Sequence, residues 1–157
     1  SFFIAMMFNT GCSYNELIGL ETDDVKLDEI SPFLIIRSNS FRNIGNINKI
    51  RTIPLVGISL WGAKNIFSNN KSLVLKKFKD KNLKIVLNES SINKRIKTFS
   101  NKKTISSFKY SLIKRLIQVE CPEEVILEII GKSKKNRLYS QEISLELKAS
   151  WLKLIVS

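Results

Sequence analysis

Most of the chain alternates between apolar and polar residues with the period of an α-helix. The run from Phe2 to Phe8 is apolar enough for a buried helix, which Gly11 can end in a left-handed conformation. Pro122-Glu123-Glu124 favours a helix start, because proline suits the first turn and carboxylates complement the helix dipole. The other helices predicted by this period lie around Leu17 to Leu20, from Gly57 to Asn69-Asn70, from Ser90 to Phe99, from Ser106 to about Val119, from Pro122 to Gly131, and from Leu145 to Val156.

Two short apolar runs have the character of strands. Phe33–Ile36 and Arg51–Leu55 predict a hairpin with a polar loop, and residues 23–27 predict a turn into one more short strand. Pro54 has no N–H to donate, so it belongs on an edge strand or at a strand end. The pattern therefore predicts an α+β fold, mainly α, with one small antiparallel sheet near residues 25–55. We assign no element to residues 71–87.

The composition predicts one folded domain over residues 1–157. Hydrophobic residues make up 43% of the chain, which is sufficient for a core. There is no histidine, and Cys12 and Cys121 lie far apart, so we expect two buried thiols and no metal site. The apolar start is too short to span a bilayer and has no signal-peptide leader, which predicts a cytoplasmic protein without a membrane partner. Because Ser1 leads directly into a helix, we expect the chain to be a fragment of a longer protein.

The positive charge is concentrated in the middle third. The formal net charge is +12, and residues 61–115 hold fifteen Lys or Arg against two Asp or Glu, whereas the flanking segments are close to neutral. Such a concentration favours a surface that follows a polyanion, because neutralised phosphates release their counterions. The alternative is a solvated lysine-rich face that reflects the codon use of an AT-rich genome.

Four stretches form an ordered set across the chain. They are Thr10-Gly11-Cys12-Ser13-Tyr14-Asn15-Glu16-Leu17, Arg51-Thr52-Ile53-Pro54-Leu55, Ser106-Ser107-Phe108-Lys109-Tyr110-Ser111, and Ile129-Ile130-Gly131-Lys132 followed by Tyr139. In order and approximate spacing the chain resembles the catalytic domain of the phage-type tyrosine recombinases, or integrases. The resemblance implies a helical catalytic domain with a small sheet, without the amino-terminal domain that such enzymes use to close around DNA.

The resemblance also implies a role for each aligned position. In the family a tyrosine attacks a DNA phosphate, two arginines hold its oxygens, a lysine protonates the leaving oxygen and histidines assist proton transfer. No cofactor takes part in this strand cleavage and rejoining. The corresponding residues are Ser13 and Lys109 at the arginine positions, Lys49 nearest the lysine position, Ser106 at the first histidine, Lys132 at the later His or Trp, and Tyr139 as the nucleophile.

These replacements predict impaired or absent DNA cleavage. Ser13 carries no charge, Ser106 cannot take a proton near neutral pH, and Lys109 lacks the planar fork of arginine. We expect the domain to bind double-stranded DNA and to form homo-oligomers on DNA through its C-terminal helix. The residues expected to contact DNA are Arg51, Lys94, Arg95, Lys97, Lys102 and Lys103.

The same residues also have simpler interpretations. Ser13 and Ser106 are typical helix N-caps. Glu16 and Asp24 are typical of residues that hold a helix or a turn, and Tyr139 fits an ordinary half-buried tyrosine. Each of these interpretations would leave the residue without a catalytic role.

Two other functions stay open at this point. One is an active recombinase whose site has been rebuilt around Lys49, Lys109, Lys132 and Tyr139. The other is a helical module without a DNA role, whose terminal helix docks on a partner subunit through Trp151, Leu152 and Ile155.

Overall fold

Helices make up most of the described chain, which comprises residues 2–39, 42–45, 49–68, 89–132 and 143–156 of a computed structural model. The helices are α1 (Phe2–Thr10), α2 (Tyr14–Ile18), α3 (Gly57–Phe67), α4 (Glu89–Phe99), α5 (Ser107–Gln118), α6 (Glu123–Ile130) and α7 (Leu145–Leu154). A 3-10 turn at Thr22–Asp24 precedes the strands β1 (Val25–Lys26), β2 (Phe33–Ile36) and β3 (Arg51–Pro54). The predicted α+β class with one small antiparallel sheet is confirmed.

The three strands pair antiparallel in the order β1-β2-β3. Leu34 lies opposite Ile53, and both side chains are fully buried, so the inner face of the hairpin faces the core. Pro54 is the last residue of the edge strand β3, which confirms its predicted position. The same register sets Arg51 opposite the fully buried Ile36, so the first residue of β3 also points inward.

Helix α1 lies at the centre of the hydrophobic core and packs along α3 and α5. Met6 is fully buried, as the apolar run at the start of the chain predicts. Gly62 of α3 faces the start of α1 so closely that a Cβ there would come within 2.7 Å of the Phe2 carbonyl oxygen. A side chain at position 62 would therefore separate the two helices.

The ends of the helices follow the local sequence signals. Gly11 has a φ of 64° and follows α1, as predicted. Pro122 precedes α6, and Gly131 closes it with a φ of 72°. The N–H of Lys132 then donates to the carbonyl of Leu127 at 2.9 Å, which completes a Schellman-type ending.

Ser106 departs from its predicted use as a helix cap. It precedes α5, but its backbone is already helical and its side chain makes no capping hydrogen bond. The hydroxyl of Ser107 instead accepts the N–H of Thr104 at 3.1 Å. The cap prediction for Ser106 is wrong, because a side chain can cap a helix only from an extended backbone conformation.

Helix α7 packs on β3. Lys148 is fully buried, and its ammonium group donates to the Thr52 carbonyl at 2.8 Å and to the Thr52 hydroxyl at 3.2 Å. Leu152 is also fully buried, and Trp151 and Ile155 are half-buried. The prediction that these three apolar residues dock on a partner subunit is therefore wrong for Leu152, because it fills this chain's own core.

Some predictions fall beyond the described part of the chain. Helix α3 ends at Phe67, two residues before the predicted stop at Asn69-Asn70. Asn69, Asn70 and the unassigned stretch 71–87 lie outside the described residues. None of the helices given above combines the length and the hydrophobicity that a bilayer crossing requires.

We expect Gly131→Ala to lower the free energy of unfolding by about 2 kcal/mol. The left-handed backbone at this position strains any side chain, and the new Cβ would lie 2.5 Å from Nη1 of Arg51. Urea denaturation measures the decrease. Gly45→Ala is the matched control, because a Cβ there meets nothing within 4 Å. Equal stability of the two variants would contradict the described contact between Gly131 and Arg51.

Candidate functional site

A buried ion pair between Glu16 of α2 and Arg51 of β3 forms the centre of the candidate site. Nη1 of Arg51 lies 2.7 Å from Oε1 of Glu16, and Nη2 lies 3.3 Å from Oε2. The side chain of Arg51 is 1% exposed and that of Glu16 is 15% exposed. Such a two-point contact holds the guanidinium plane in one orientation.

Ser13 fixes the position of Glu16. Oε2 of Glu16 accepts the N–H of Ser13 at 2.7 Å, and the Ser13 hydroxyl accepts the N–H of Glu16 at 3.3 Å. This is a reciprocal capping box at the start of α2. The interpretation of Ser13 as a cap is confirmed, and the residue at the arginine position of the resemblance lies next to the ion pair.

The carboxyl group of Glu16 is held in its charged form. Burial alone would raise its pKa, but the hydrogen bonds and charge of Arg51, together with the Ser13 N–H, outweigh burial and lower the pKa of Glu16. Glu16 therefore has the structural role that we considered for it.

Arg51 is buried, whereas we expected it on the surface or against the DNA backbone. Besides Glu16, its Nε donates to the Ile129 carbonyl at 2.9 Å and its Nη1 donates to the Lys49 carbonyl at 3.0 Å. The residue as a whole is 2% exposed. The surface prediction is wrong, because the strand register turns this side chain toward the end of α6 and toward a carboxylate. In this conformation its fork is occupied by protein groups.

Two lysines lie beside this ion pair. Lys109 of α5 donates from Nζ to the Ile130 carbonyl at 3.1 Å. Burial lowers the pKa of Lys109; the charge of Glu16 opposes this, and the charges of Arg51 and Lys132 add to it. Lys132 is exposed directly after Gly131. The group at this end of α6 therefore has two lysines next to a guanidinium that a carboxylate already neutralises.

Cys12 lies in the same environment as a buried thiol. Burial raises the pKa of Cys12 to about 11, although the charges of Arg51 and Lys109 work in the opposite direction. Burial also raises the pKa of Cys121 to about 11. Both cysteines are free and buried, as predicted, and both are protonated at neutral pH.

The structure brings some of the predicted catalytic residues together and leaves others apart. Ser13 and Lys109 lie at the Glu16–Arg51 pair, and the charge of Lys132 acts on Lys109. The backbone carbonyl of Lys49 accepts a hydrogen bond from Arg51, and Lys49 itself is an exposed residue. Ser106 is exposed one helical turn before Lys109, and Tyr139 lies outside the described residues.

The cations predicted to contact DNA form a second group, which we call the basic face. It consists of Lys94, Arg95, Lys97, Lys102 and Lys103, and all five residues are exposed. Three of them lie on α4, where Ile92 is buried and Ile96 is half-buried, as the helical period predicts. The other two follow α4 in the connection to α5.

A buried network around Asp24 was only partly predicted. Asp24 is fully buried and accepts Nε of Arg37 at 2.6 Å and Nδ2 of Asn39 at 3.0 Å. Arg42 donates to the carbonyls of Arg37 and Glu16, which ties the hairpin loop to α2. The structural role considered for Asp24 is confirmed. The sequence near Asp24 does not predict its arginine partners, because the path of the hairpin determines which arginines reach it.

Arg115 is a further cation with an internal partner. It donates to Oδ1 of Asn9 at 2.8 Å and to the Phe8 carbonyl, and its guanidinium carbon lies 4.1 Å from the centre of the Phe8 ring. Arg115 therefore joins α5 to the end of α1. Arg115 and Lys109 thus commit part of the positive charge of the middle third to hydrogen bonds within the protein.

No protein-family model, curated protein or solved structure gives a significant match to this chain. The resemblance to the tyrosine recombinases therefore consists of the four sequence stretches given above.

We expect Glu16→Gln to lower the free energy of unfolding at pH 7 by about 2–3 kcal/mol, because it leaves the buried charge of Arg51 without a counter-ion. The pKa of Glu16 is lower in the folded than in the unfolded chain. Its stabilising contribution is therefore present above the ordinary glutamate pKa of about 4.3 and is lost as the pH falls through the lower folded value. Urea denaturation between pH 7 and pH 3 measures both effects.

Glu29→Gln is the control for this measurement, because Glu29 is exposed in the connection between β1 and β2. The stability of the Glu16→Gln variant should fall less steeply with acid than that of the unaltered protein. A variant as stable as the control at pH 7 would show that the ion pair contributes little.

Proposed function

We propose that this chain is a tyrosine-recombinase-like domain that binds double-stranded DNA through its basic face and cleaves it poorly or not at all. One observation carries the proposal: all five cations of the basic face are exposed, as contact with phosphates requires. The four recombinase-like stretches support the same class of substrate.

The charge of the basic face is available to an external polyanion. The ion pairs found within the described part of the chain involve Glu16 or Asp24, and none of them includes a cation of the basic face. Helix α4 contains a single acidic residue, Glu89 in its first turn. Several unneutralised cations on one surface favour binding to phosphates, with an affinity that falls as salt rises.

The candidate site supports binding better than cleavage. Phosphoryl transfer needs fixed donors directed at the charge that develops on the phosphate. Ser13 offers a hydroxyl in place of an arginine, and the fork of Arg51 is occupied by Glu16 and two carbonyls. Lys109 and Lys132 supply positive charge without a planar fork. Replacement of the arginines thus removes the strongest oxyanion contacts while leaving the surroundings electropositive.

A separate observation favours self-association through α7. Leu147 and Leu154 are 46% and 54% exposed on this helix, although their neighbours pack in the core. Two exposed leucines on one terminal helix fit the expected homo-oligomer on DNA better than the buried Leu152 does. This association would supplement DNA binding rather than replace it.

We expect the triple variant Lys94→Gln, Arg95→Gln, Lys97→Gln to bind duplex DNA at least about tenfold more weakly than the unaltered protein. The slope of log affinity against log salt should also become shallower by about 1 for each phosphate that the variant no longer neutralises. Fluorescence anisotropy with a labelled duplex at several salt concentrations measures both quantities.

The matched control replaces Lys64, Lys114 and Lys153 with glutamine. These three lysines are exposed and lie outside the basic face, and their replacement removes the same amount of positive charge. Equal weakening by both triple variants would mean that net charge, and not the basic face, determines binding. Failure of the unaltered protein to bind DNA or heparin would favour the helical module without a DNA role.

We expect no covalent protein–DNA adduct when the protein is incubated with supercoiled plasmid. Removal of one fixed oxyanion donor typically costs about 10²–10³ in rate, and this chain departs from the family pattern at several positions. Denaturing electrophoresis of labelled DNA detects an adduct directly. An adduct that disappears in Tyr139→Phe would contradict the proposal and support the active, rebuilt site.

A further inference from the structure

Phe99 is 91% exposed at the end of α4. It occupies the apolar stripe of this helix, because residues 92, 96 and 99 recur at the spacing of one helical face. The stripe begins at Ile92, which is 5% exposed, continues through the half-buried Ile96 and ends at Phe99 in solvent. The core-facing stripe of α4 therefore ends in an aromatic side chain that lies in solvent.

The surroundings of Phe99 are cationic. Arg95 lies one turn earlier on the same side of α4, and Lys102 and Lys103 follow within four residues. Other exposed apolar side chains, such as Ile117 at 60% and Ile30 at 105%, lie outside the basic face. An exposed aromatic ring among cations matches a ligand that carries both negative charge and flat apolar surfaces.

The connection after Phe99 is held against its own helix. The N–H of Lys103 donates to the Ser100 carbonyl at 3.1 Å, and the N–H of Ile105 donates to Oδ1 of Asn93 at 2.7 Å. These bonds keep Lys102 and Lys103 close to the end of α4. The segment that carries Lys102 and Lys103 is therefore held at the end of α4, next to Phe99 in sequence, and is not a free loop.

We propose that Phe99 is a base-stacking residue and that single-stranded DNA binds beside it at Arg95, Lys102 and Lys103 of the basic face. This inference rests on the proposed function, because the basic face supplies the phosphate contacts. In a duplex the faces of the bases are covered by their neighbours, whereas a single strand exposes them to an aromatic ring. In this arrangement the exposed ring stacks on a base, and the adjacent cations bind the phosphates of the same strand.

The test compares two oligomers that differ only in their bases. One is an oligothymidylate of about 16 nucleotides, and the other is an abasic oligomer with the same number of phosphates. Phe99→Ala should bind the oligothymidylate about tenfold more weakly and the abasic oligomer with unchanged affinity, as measured by anisotropy. Phe99→Trp should keep the affinity for the oligothymidylate, because tryptophan also has an aromatic ring. Phe99→Leu should bind as weakly as Phe99→Ala, because leucine is apolar but has no ring.

Ile117→Ala is the matched control, since it removes an exposed apolar side chain from α5 and should leave both affinities unchanged. Because Phe99 is almost fully exposed, its replacement should also leave the urea midpoint unchanged. Three results would overturn the inference: equal affinity of the unaltered protein for both oligomers, a Phe99→Ala affinity equal to that of the unaltered protein, or equal weakening on both oligomers. Disappearance of self-association in Phe99→Ala, seen by light scattering without a change in DNA affinity, would assign the ring to a protein contact instead.

The two proposals fail in different ways. If the unaltered protein binds neither oligomer nor duplex DNA, both the proposed function and this inference are wrong. If it binds duplex DNA through the basic face but Phe99→Ala has no effect on any oligomer, only the stacking role is wrong.

Discussion

The pairing of Arg51 with Glu16 is the interaction on which the organisation of the candidate site depends. The guanidinium reaches from the start of β3 to α2 through Glu16 and to the end of α6 through the Ile129 carbonyl. Gly131 lies directly against it, and no larger residue fits there without movement. Three elements that are distant in sequence are thus held by one side chain, whose burial requires a carboxylate partner.

This arrangement also explains how the positive charge is divided. Arg51, Arg115 and Lys148 make hydrogen bonds inside the protein and serve the fold. The five cations of the basic face remain exposed. Lys109 is half-buried and donates to the Ile130 carbonyl near the ion pair, whereas Lys132 is exposed. The site is therefore electropositive, while the buried guanidinium of Arg51 is committed to structure.

The sequence predicted those features that depend on local interactions. Gly11, Pro122 and Gly131 were assigned to helix ends from backbone preferences that act within one turn, and the structure confirms all three. The inward side of α4 followed from its 3.6-residue period. Pro54 followed from its missing N–H, which restricts it wherever the strand lies.

The features that sequence did not predict depend on partners from elsewhere in the chain. Arg51 has the character of a surface residue, and only the register of β3 and the capping box of α2 bring Glu16 to it. Lys148 has the sequence surroundings of a solvated helix lysine, yet its ammonium group is buried and donates a hydrogen bond to the Thr52 carbonyl. The environments of Arg51 and Lys148 are thus set by tertiary packing. Ser106 is a local exception, because its own backbone is helical and the hydroxyl of the neighbouring Ser107 accepts the Thr104 N–H.

The most direct measurement follows the Nε–H groups of Arg51 and Arg95 by ¹H–¹⁵N NMR while duplex DNA is added. We expect the Arg95 signal to shift or broaden with DNA, whereas the Arg51 signal should keep its position and its slow exchange with water in both states. An Arg51 signal that exchanges rapidly, or that moves with DNA as much as that of Arg95, would instead show that the Arg51 guanidinium is free to bind phosphate and is not committed to Glu16.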